Sequence, residues 1–425
     1  MTPFAPALLT DQYELTMLSA ALKDGTAPRR SVFEVFARRL PNGRRYGVVA
    51  GTARLIELVR EFRFSAAEVS FLREAGIVDE TTAAWLADYR FTGDIDGYAE
   101  GELFFPGSPI LTVSGTFAES VVLETLVLSV LNHDSAVAAA AARMVTAARG
   151  RPIIEMGSRR THEQAAVAAA RAAYLAGFAS TSNLAAGERY GIPTTGTSAH
   201  AFTLLHDDEP AAFASQVEAL GKSTTLLVDT YDIAQGIRNA IAVAGPDLRA
   251  IRLDSGDLSV LAQHSRELLD SLGATDTKIV VSGDMDEYSI AALAAEPVDI
   301  YGAGTAVVTG SGAPTAGLVY KLVEVEGRPV VKRSENKATV GGRKTAVRRH
   351  KPTGTATEEI VVSQGVPDHQ ANDRLLQRSY VAGGEVQRLA TLQESREHLR
   401  QGLISIPWEG LKLSAGDPAI PVIFR

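Results

Sequence analysis

The chain has eight histidines, and His200 stands apart from the rest. It closes the run Thr195-Gly196-Thr197-Ser198-Ala199-His200, where small, hydroxyl-bearing neighbours would let an anion come close. An imidazole so placed can donate a proton or accept a phosphoryl group; the plainer alternative is a satisfied structural histidine. Arg252-Leu253-Asp254-Ser255-Gly256-Asp257 sets two carboxylates across a Ser-Gly turn. Both can face one cleft, as the handling of Mg²⁺ with phosphates requires, although Asp257 also stands where it would cap a helix starting at Leu258. Arg252 either pairs with Asp254 or clamps a carboxylate or phosphate. Ser282-Gly283-Asp284 and Gly302-Ala303-Gly304-Thr305 carry glycines that let backbone N–H groups approach a phosphate, or they simply make tight turns. Two look-alikes fail. Gly221-Lys222-Ser223 has Gln216 where a P-loop needs its first glycine, and Gly302-x-Gly304 has Val307 where a dinucleotide fingerprint needs its third.

These residues need a scaffold that brings them together, and the sequence supplies a repeating one. Between about residues 150 and 325 a short β-branched run, a polar tip and an Ala-rich helical stretch recur, which is the pattern of a parallel α/β array. The expected strands with their tips are 152–157, 178–183, 192–200, 225–232, 250–257, 278–284 and 299–305. Ligands bind at the carboxyl ends of such strands, and that is where the chemistry-bearing residues fall. Leu318 to Glu324 reads as a further strand, but Gly310 to Gly317 leaves no room for a crossover helix. The expectation is therefore an incomplete or irregular α/β barrel over 136–324. A second, β-rich domain is expected from 1–135, completed by 325–425. Within it, Asn132-His133-Asp134-Ser135 reads as a polar break between two apolar helices, and Glu394 to Gln401 as a solvated helix. Ser334, Lys337 and Gly341 to Lys344 suggest a basic loop near phosphates or, in preference, a solvated charged turn.

Composition narrows the function classes. The chain has 425 residues with a formal charge of −8, so no global basic field exists to hold nucleic acid or an anionic membrane. Anionic ligands must be held locally. With no cysteine, disulfides, thiolate metal sites and a thiol nucleophile are excluded. Met1 to Thr10 lacks the basic residues and long apolar run of a signal peptide, which leads to the expectation of a cytoplasmic protein.

Taken together and in order, Leu9-Thr10-Asp11-Gln12-Tyr13-Glu14-Leu15-Thr16-Met17, Asn132 to Ser135, Glu155-Met156-Gly157-Ser158-Arg159-Arg160, Gly196 to Phe202, Asp229-Thr230-Tyr231-Asp232, Arg252 to Asp257 and Tyr301 to Thr305 resemble the nicotinate phosphoribosyltransferase family. The resemblance runs over most of the chain. It implies a type II phosphoribosyltransferase fold, an incomplete α/β barrel beside a β-rich domain built from both ends of the chain. It also implies formation of nicotinate mononucleotide and diphosphate from nicotinate and 5-phosphoribosyl diphosphate, coupled to ATP hydrolysis through a phosphohistidine.

On the matching positions His200 would be that phosphohistidine. Tyr13, Thr197 and Arg252 would contact nicotinate, Tyr13 by stacking across a homodimer interface. Arg159, Asp254, Ser255, Asp257, Ser282, Gly283, Asp284, Gly302, Gly304 and Thr305 would hold 5-phosphoribosyl diphosphate, with Asp254 and Asp257 as candidates for Mg²⁺. Arg252 would select a carboxylate over a neutral amide, and the few cations at the tips speak against a dicarboxylate such as quinolinate. Phosphorylation of His200 would favour a closed, diphosphate-competent form. The alternatives are a nicotinamide phosphoribosyltransferase, a barrel lyase using a Schiff-base lysine, for which the tips offer no lysine, and a non-catalytic metabolite binder, which would not need to keep these residues.

Overall fold

The computed structural model describes residues 6–332, 340–363 and 365–425. It divides into two compact units, one comprising Met1–Ala136 with Ala313–Arg425, the other Val137–Gly312.

In the second unit six parallel strands lie side by side in the order Ser180–Thr181, Ile153–Glu155, Ile300–Ala303, Lys278–Val281, Ala250–Leu253 and Thr225–Leu227. The first strand along the chain pairs with the last, Ile154 opposite Gly302, so the sheet curls as a barrel would. It stays open between Ser180–Thr181 and Thr225–Leu227. Both faces of the strands are covered: Ile153, Leu226, Leu227, Ile251, Leu253, Ile279 and Val281 are all buried, as parallel sheets require. Ala-rich helices cover the strands, and Glu163–Ala176 buries Ala166, Ala169, Ala170 and Ala173 along one face. Several strand tips start the next helix. Asn183, Asp232 and Asp257 each accept a backbone N–H of the first turn, which satisfies a donor the helix leaves open.

One expected strand is missing. Of 192–200 only Thr194 pairs, through a single parallel bridge to Thr181. Pro193 has no N–H to give a ladder, Gly196 has no side chain to pack, and only Ile192 is buried. The segment then runs irregularly into a short helix, His200–Leu205.

The first unit holds a seven-stranded sheet in the order Arg328–Pro329, Leu318–Val325, Arg30–Ala37, Leu111–Thr116, Asp94–Tyr98, Gln377–Ala382 and Glu385–Val386. It also holds a four-stranded sheet of Arg374–Leu375, Thr345–His350, Ala356–Val362 and Val422–Phe424. The barrel unit was expected to run to 324 and ends at Gly312. Leu318–Val325 pairs antiparallel with Arg30–Ala37, since the short link before it cannot return the chain for a parallel pairing. Its buried side stacks Tyr320 on Phe33 with ring centroids 4.8 Å apart.

Three further expectations change. The polar break at 132–135 is absent, and one helix runs from Glu124 to Ala148. Its polar side chains bond sideways instead: Asn132 to Leu318 at 2.8 Å, Asp134 to Arg54 at 3.1 Å, Ser135 to Ala50 at 3.2 Å. By composition this region, from Phe117 to Ala148, could cross a membrane, but 67% of its apolar window is buried inside the chain, which makes it a core helix. Leu392–Ser405 buries Ser395, Leu399 and Gly402, so it packs on one face and is not wholly solvated. Ser334 and Lys337 lie outside the described residues. Lys344 is no solvated charge, because its Nζ lies buried at 3.0 and 3.1 Å from the two carboxylate oxygens of Glu34.

Candidate active site

The mouth lies where the sheet fails to close. A cavity of about 320 Å³ is lined on one side of the gap by Thr195 to His200 and on the other by Leu227, with Arg252, Asp254, Met156, Ser158, Arg159 and Ser182 completing it. The weak strand at 192–200 thus has a consequence: its polar backbone and hydroxyls are free to line a cavity that a regular strand would have filled.

Arg252 organises the floor. Its Nε donates to Ser282 Oγ at 2.8 Å, Nη1 to Thr197 Oγ1 at 2.9 Å and more weakly to the Ser198 carbonyl at 3.4 Å, and Nη2 to Asp254 Oδ1 at 2.8 Å. Of the five N–H groups of a guanidinium, one has no partner among the described residues. The side chain is 11% exposed and that of Asp254 27%. Burial alone would raise the Asp254 carboxyl, but the Arg252 and Ser282 hydrogen bonds, with the nearby charges of Arg252 and His200, hold it below the usual carboxylate range. Ser282, itself buried, bonds both Asp254 and Arg252 from beneath.

His200 turns Nδ1 to the Thr230 hydroxyl at 3.1 Å. Next to Thr230, Asp229 Oδ2 accepts the Asp254 N–H at 2.8 Å and the Ser255 hydroxyl at 2.9 Å. Its Oδ1 is buried without a hydrogen-bond partner among the described residues. Across the mouth, the buried Glu155 carboxylate accepts from Thr181 and from the Gly157 N–H. Burial raises its pKa and those hydrogen bonds oppose the rise.

The expected site residues fall into groups. His200, Thr197, Arg252, Arg159 and Asp254 share the cavity. Ser282 supports it from below. Ser255 is exposed beside Asp229, and Asp257 is exposed and caps its helix. Gly283, at φ +125, and Asp284 are exposed at the end of the Lys278–Val281 strand. Thr305 is exposed at the start of the short helix Thr305–Val308, with Gly304 at its N-cap. Gly302 is buried under Met156: a Cβ there would lie 2.9 Å from the Met156 sulfur and 3.1 Å from Ser282 Cβ. Its missing side chain serves packing beneath the mouth. Tyr13 lies in the other unit, 46% exposed on the helix Gln12–Asp24. Among the described residues no group of three or more metal-ligating side chains gathers. The sequence marks Asp229 and Thr230 as part of a strand tip but gives neither a role, because an acid and a hydroxyl without glycines give no local signal of contact with the next tip.

Comparison with known proteins follows the same division. Residues 8–132 match the family described as nicotinate phosphoribosyltransferase N-terminal domain, and residues 137–311 the quinolinate phosphoribosyl transferase C-terminal domain. A nicotinate phosphoribosyltransferase of Mycobacterium tuberculosis is 62% identical over 97% of this chain and 94% of its own length. One from Bacillus subtilis is 37% identical over 87% and 78%. Among solved structures, human nicotinic acid phosphoribosyltransferase superposes with a TM-score of 0.87 at 27% identity, covering 98% of this chain and 97% of the human one.

Proposed function

The chain belongs to the nicotinate phosphoribosyltransferase family, and from that membership we propose that its mouth joins nicotinate to 5-phosphoribosyl diphosphate, releasing diphosphate and forming nicotinate mononucleotide for NAD salvage. The observation that carries this reading is the shared cavity of His200, Thr197, Arg252 and Asp254 at the open edge of the sheet. As diphosphate leaves, positive charge grows on the ribosyl carbon, so the protein must hold the leaving group and aim the pyridine nitrogen in line. No protein nucleophile is needed for that step.

Thr197 and Arg252 meet the nicotinate carboxylate. The single spare N–H of Arg252, together with the Thr197 hydroxyl it fixes, suits one carboxylate. With exposed Arg159 the only other Arg or Lys lining the cavity among the described residues, a dicarboxylate is poorly matched despite the family likeness of residues 137–311. Arg159, Ser255, Gly283, Asp284, Gly304 and Thr305 lie at the ends of the strands and offer hydroxyl and backbone donors to the phosphates and ribose of 5-phosphoribosyl diphosphate, while Ser282 and Gly302 hold the floor beneath. Mg²⁺ fits the donor chemistry here: it binds through one or two carboxylates plus substrate phosphates, and Asp229 offers a buried oxygen without a partner beside Asp254. When bound, the ion neutralises the departing diphosphate. Asp257 is left to its capping role.

ATP is the further substrate in this reading, and His200 takes its γ-phosphoryl group, placing new charge beside the mouth that favours a closed form. A cytoplasmic homodimer, with Tyr13 of one copy stacking on the pyridine bound by the other, belongs to the same proposal. The test is incubation with 5-phosphoribosyl diphosphate, Mg²⁺ and ATP, and with nicotinate, nicotinamide or quinolinate in parallel. Nicotinate should give mononucleotide with ADP release, and His200→Ala should abolish the ATP stimulation. Absence of mononucleotide from every base overturns the reading, and His200→Ala with ATP hydrolysis still tied to product overturns the coupling.

A further inference from the structure

We infer that Thr230 is a positioning residue for His200: its hydroxyl fixes the orientation of the imidazole so that Nε2 is presented as the phosphoryl acceptor. The inference rests on the reading of His200 as the phosphorylated residue and goes beyond it. The contact runs from the end of the Thr225–Leu227 strand, on one side of the open edge, to the first residue of the helix on the other.

Thr230 is held firmly from both sides. Before it, the Val228 N–H donates to the Arg252 carbonyl at 3.2 Å and Asp229 accepts the Asp254 N–H at 2.8 Å. After it, Asp232 caps Ile233–Ala244 through the Gln235 N–H at 2.8 Å. A hydroxyl on so well-anchored a turn can dictate a ring angle, whereas the ring sits on a six-residue helix whose N-cap, Ala199, offers no side-chain hydrogen bond.

A neutral imidazole has one N–H and one lone pair, and a hydroxyl can accept from the one or donate to the other. In the tautomer whose Nδ1–H donates to Thr230 Oγ1, the lone pair lies on Nε2. Attack by that pair forms the N–P bond and breaks the bond between the γ-phosphorus and the bridging oxygen of ATP. ADP leaves with the electron pair, and Nδ1 keeps its proton throughout. A hydroxyl orients the ring without the full charge of a carboxylate, which would stabilise the imidazolium. The neutral partner thus orders the ring without deepening the phosphorylated state.

The test compares Thr230→Val, which keeps the shape and removes the hydroxyl, with Thr230→Ser, which keeps the hydroxyl. On the scale typical of lost outer-shell hydrogen bonds, the valine variant should lower acid-labile phosphorylation and the ATP-coupled kcat by roughly 10–100-fold. Its KM for nicotinate and 5-phosphoribosyl diphosphate should move far less, and the serine variant should recover most of the loss. Full phosphorylation in Thr230→Val overturns the inference. So does a loss that Thr230→Ser fails to restore in a protein of unchanged melting temperature. If His200→Ala is itself still phosphorylated and coupled, the underlying assignment of His200 has failed, which separates the two outcomes.

Discussion

At Arg252 one side chain holds three others in place. It fixes Thr197, Ser282 and Asp254 at 2.8 to 2.9 Å and keeps one N–H for a ligand. A lysine would retain the charge but not the planar fork. Arg252→Lys should therefore lower kcat/KM for nicotinate by about 10–150-fold, on the scale of 1.5–3 kcal/mol for a hydrogen bond to a charged group. Nicotinamide turnover should fall much less, so that the ratio of the two bases narrows; an unchanged ratio would show that selection lies elsewhere. Asp254 also has a pH signature. Its folded pKa is depressed below an unfolded value of about 3.9, so its contribution to stability is present above that value and lost as pH falls through the folded one. Melting temperatures between pH 2 and 5 should show a shallower acid limb for Asp254→Asn than for the parent. Any activity lost between pH 8 and 5 belongs to other groups.

Elements show where the sequence could be read and where it could not. The strands at 153, 250, 278 and 300 are legible because each is a short apolar run closed by a polar tip, and burial on both faces demands such runs. The failure at 192–200 was local, since a hydroxyl-rich stretch after Ile192 imitates a strand tip while Pro193 and Gly196 undo the strand. The packing role of Gly302 is not legible in the sequence, because close contact to Met156 from another strand has no trace in neighbouring residues. The contacts of Asp229 and Thr230 are not legible in the sequence, because they depend on elements distant along the chain. The glycines give a paired prediction. A Cβ at Gly302 meets the Met156 sulfur and Ser282, whereas one at Gly196 meets nothing within 4 Å. Gly302→Ala should cost about 1–3 kcal/mol of stability by overpacking and disturb the mouth through Ser282 and Met156. Gly196→Ala should leave the denaturant midpoint where it was. Equal midpoints for the two variants would mean that the floor beneath the mouth has more slack than these distances allow.

For the molecule as a whole, the chain leaves its first unit, builds the second, and returns to finish the first, so the residues before 136 and after 313 must find each other. Strand pairing does part of this, Glu34 lying opposite Lys321 in the register of Arg30–Ala37 with Leu318–Val325. Buried charge does another part: Lys344 pairs with Glu34, and Arg348 with Glu102 and Glu359. Such pairs bring partners distant in sequence to one register, but their desolvation makes them doubtful sources of net stability. Lys344→Met leaves a buried carboxylate without its cation and should destabilise by about 3–5 kcal/mol, whereas Glu34→Met with Lys344→Met should recover most of that. The pH dependence discriminates further. Burial pushes Glu34 up to about 7 against the pull of Lys344. Between an unfolded value of about 4.3 and that figure, the folded chain binds more proton than the unfolded one. The contribution of Glu34 is therefore full below that window and is lost as pH rises through it. Lys344→Met should extend this decline above pH 7, because the opposing cation is gone, and the double variant should lack it. If unfolding curves for the parent and the double variant run parallel from pH 4.5 to 8, Glu34 is ionised throughout that range and the pair contributes a fixed charge, not a titrating one.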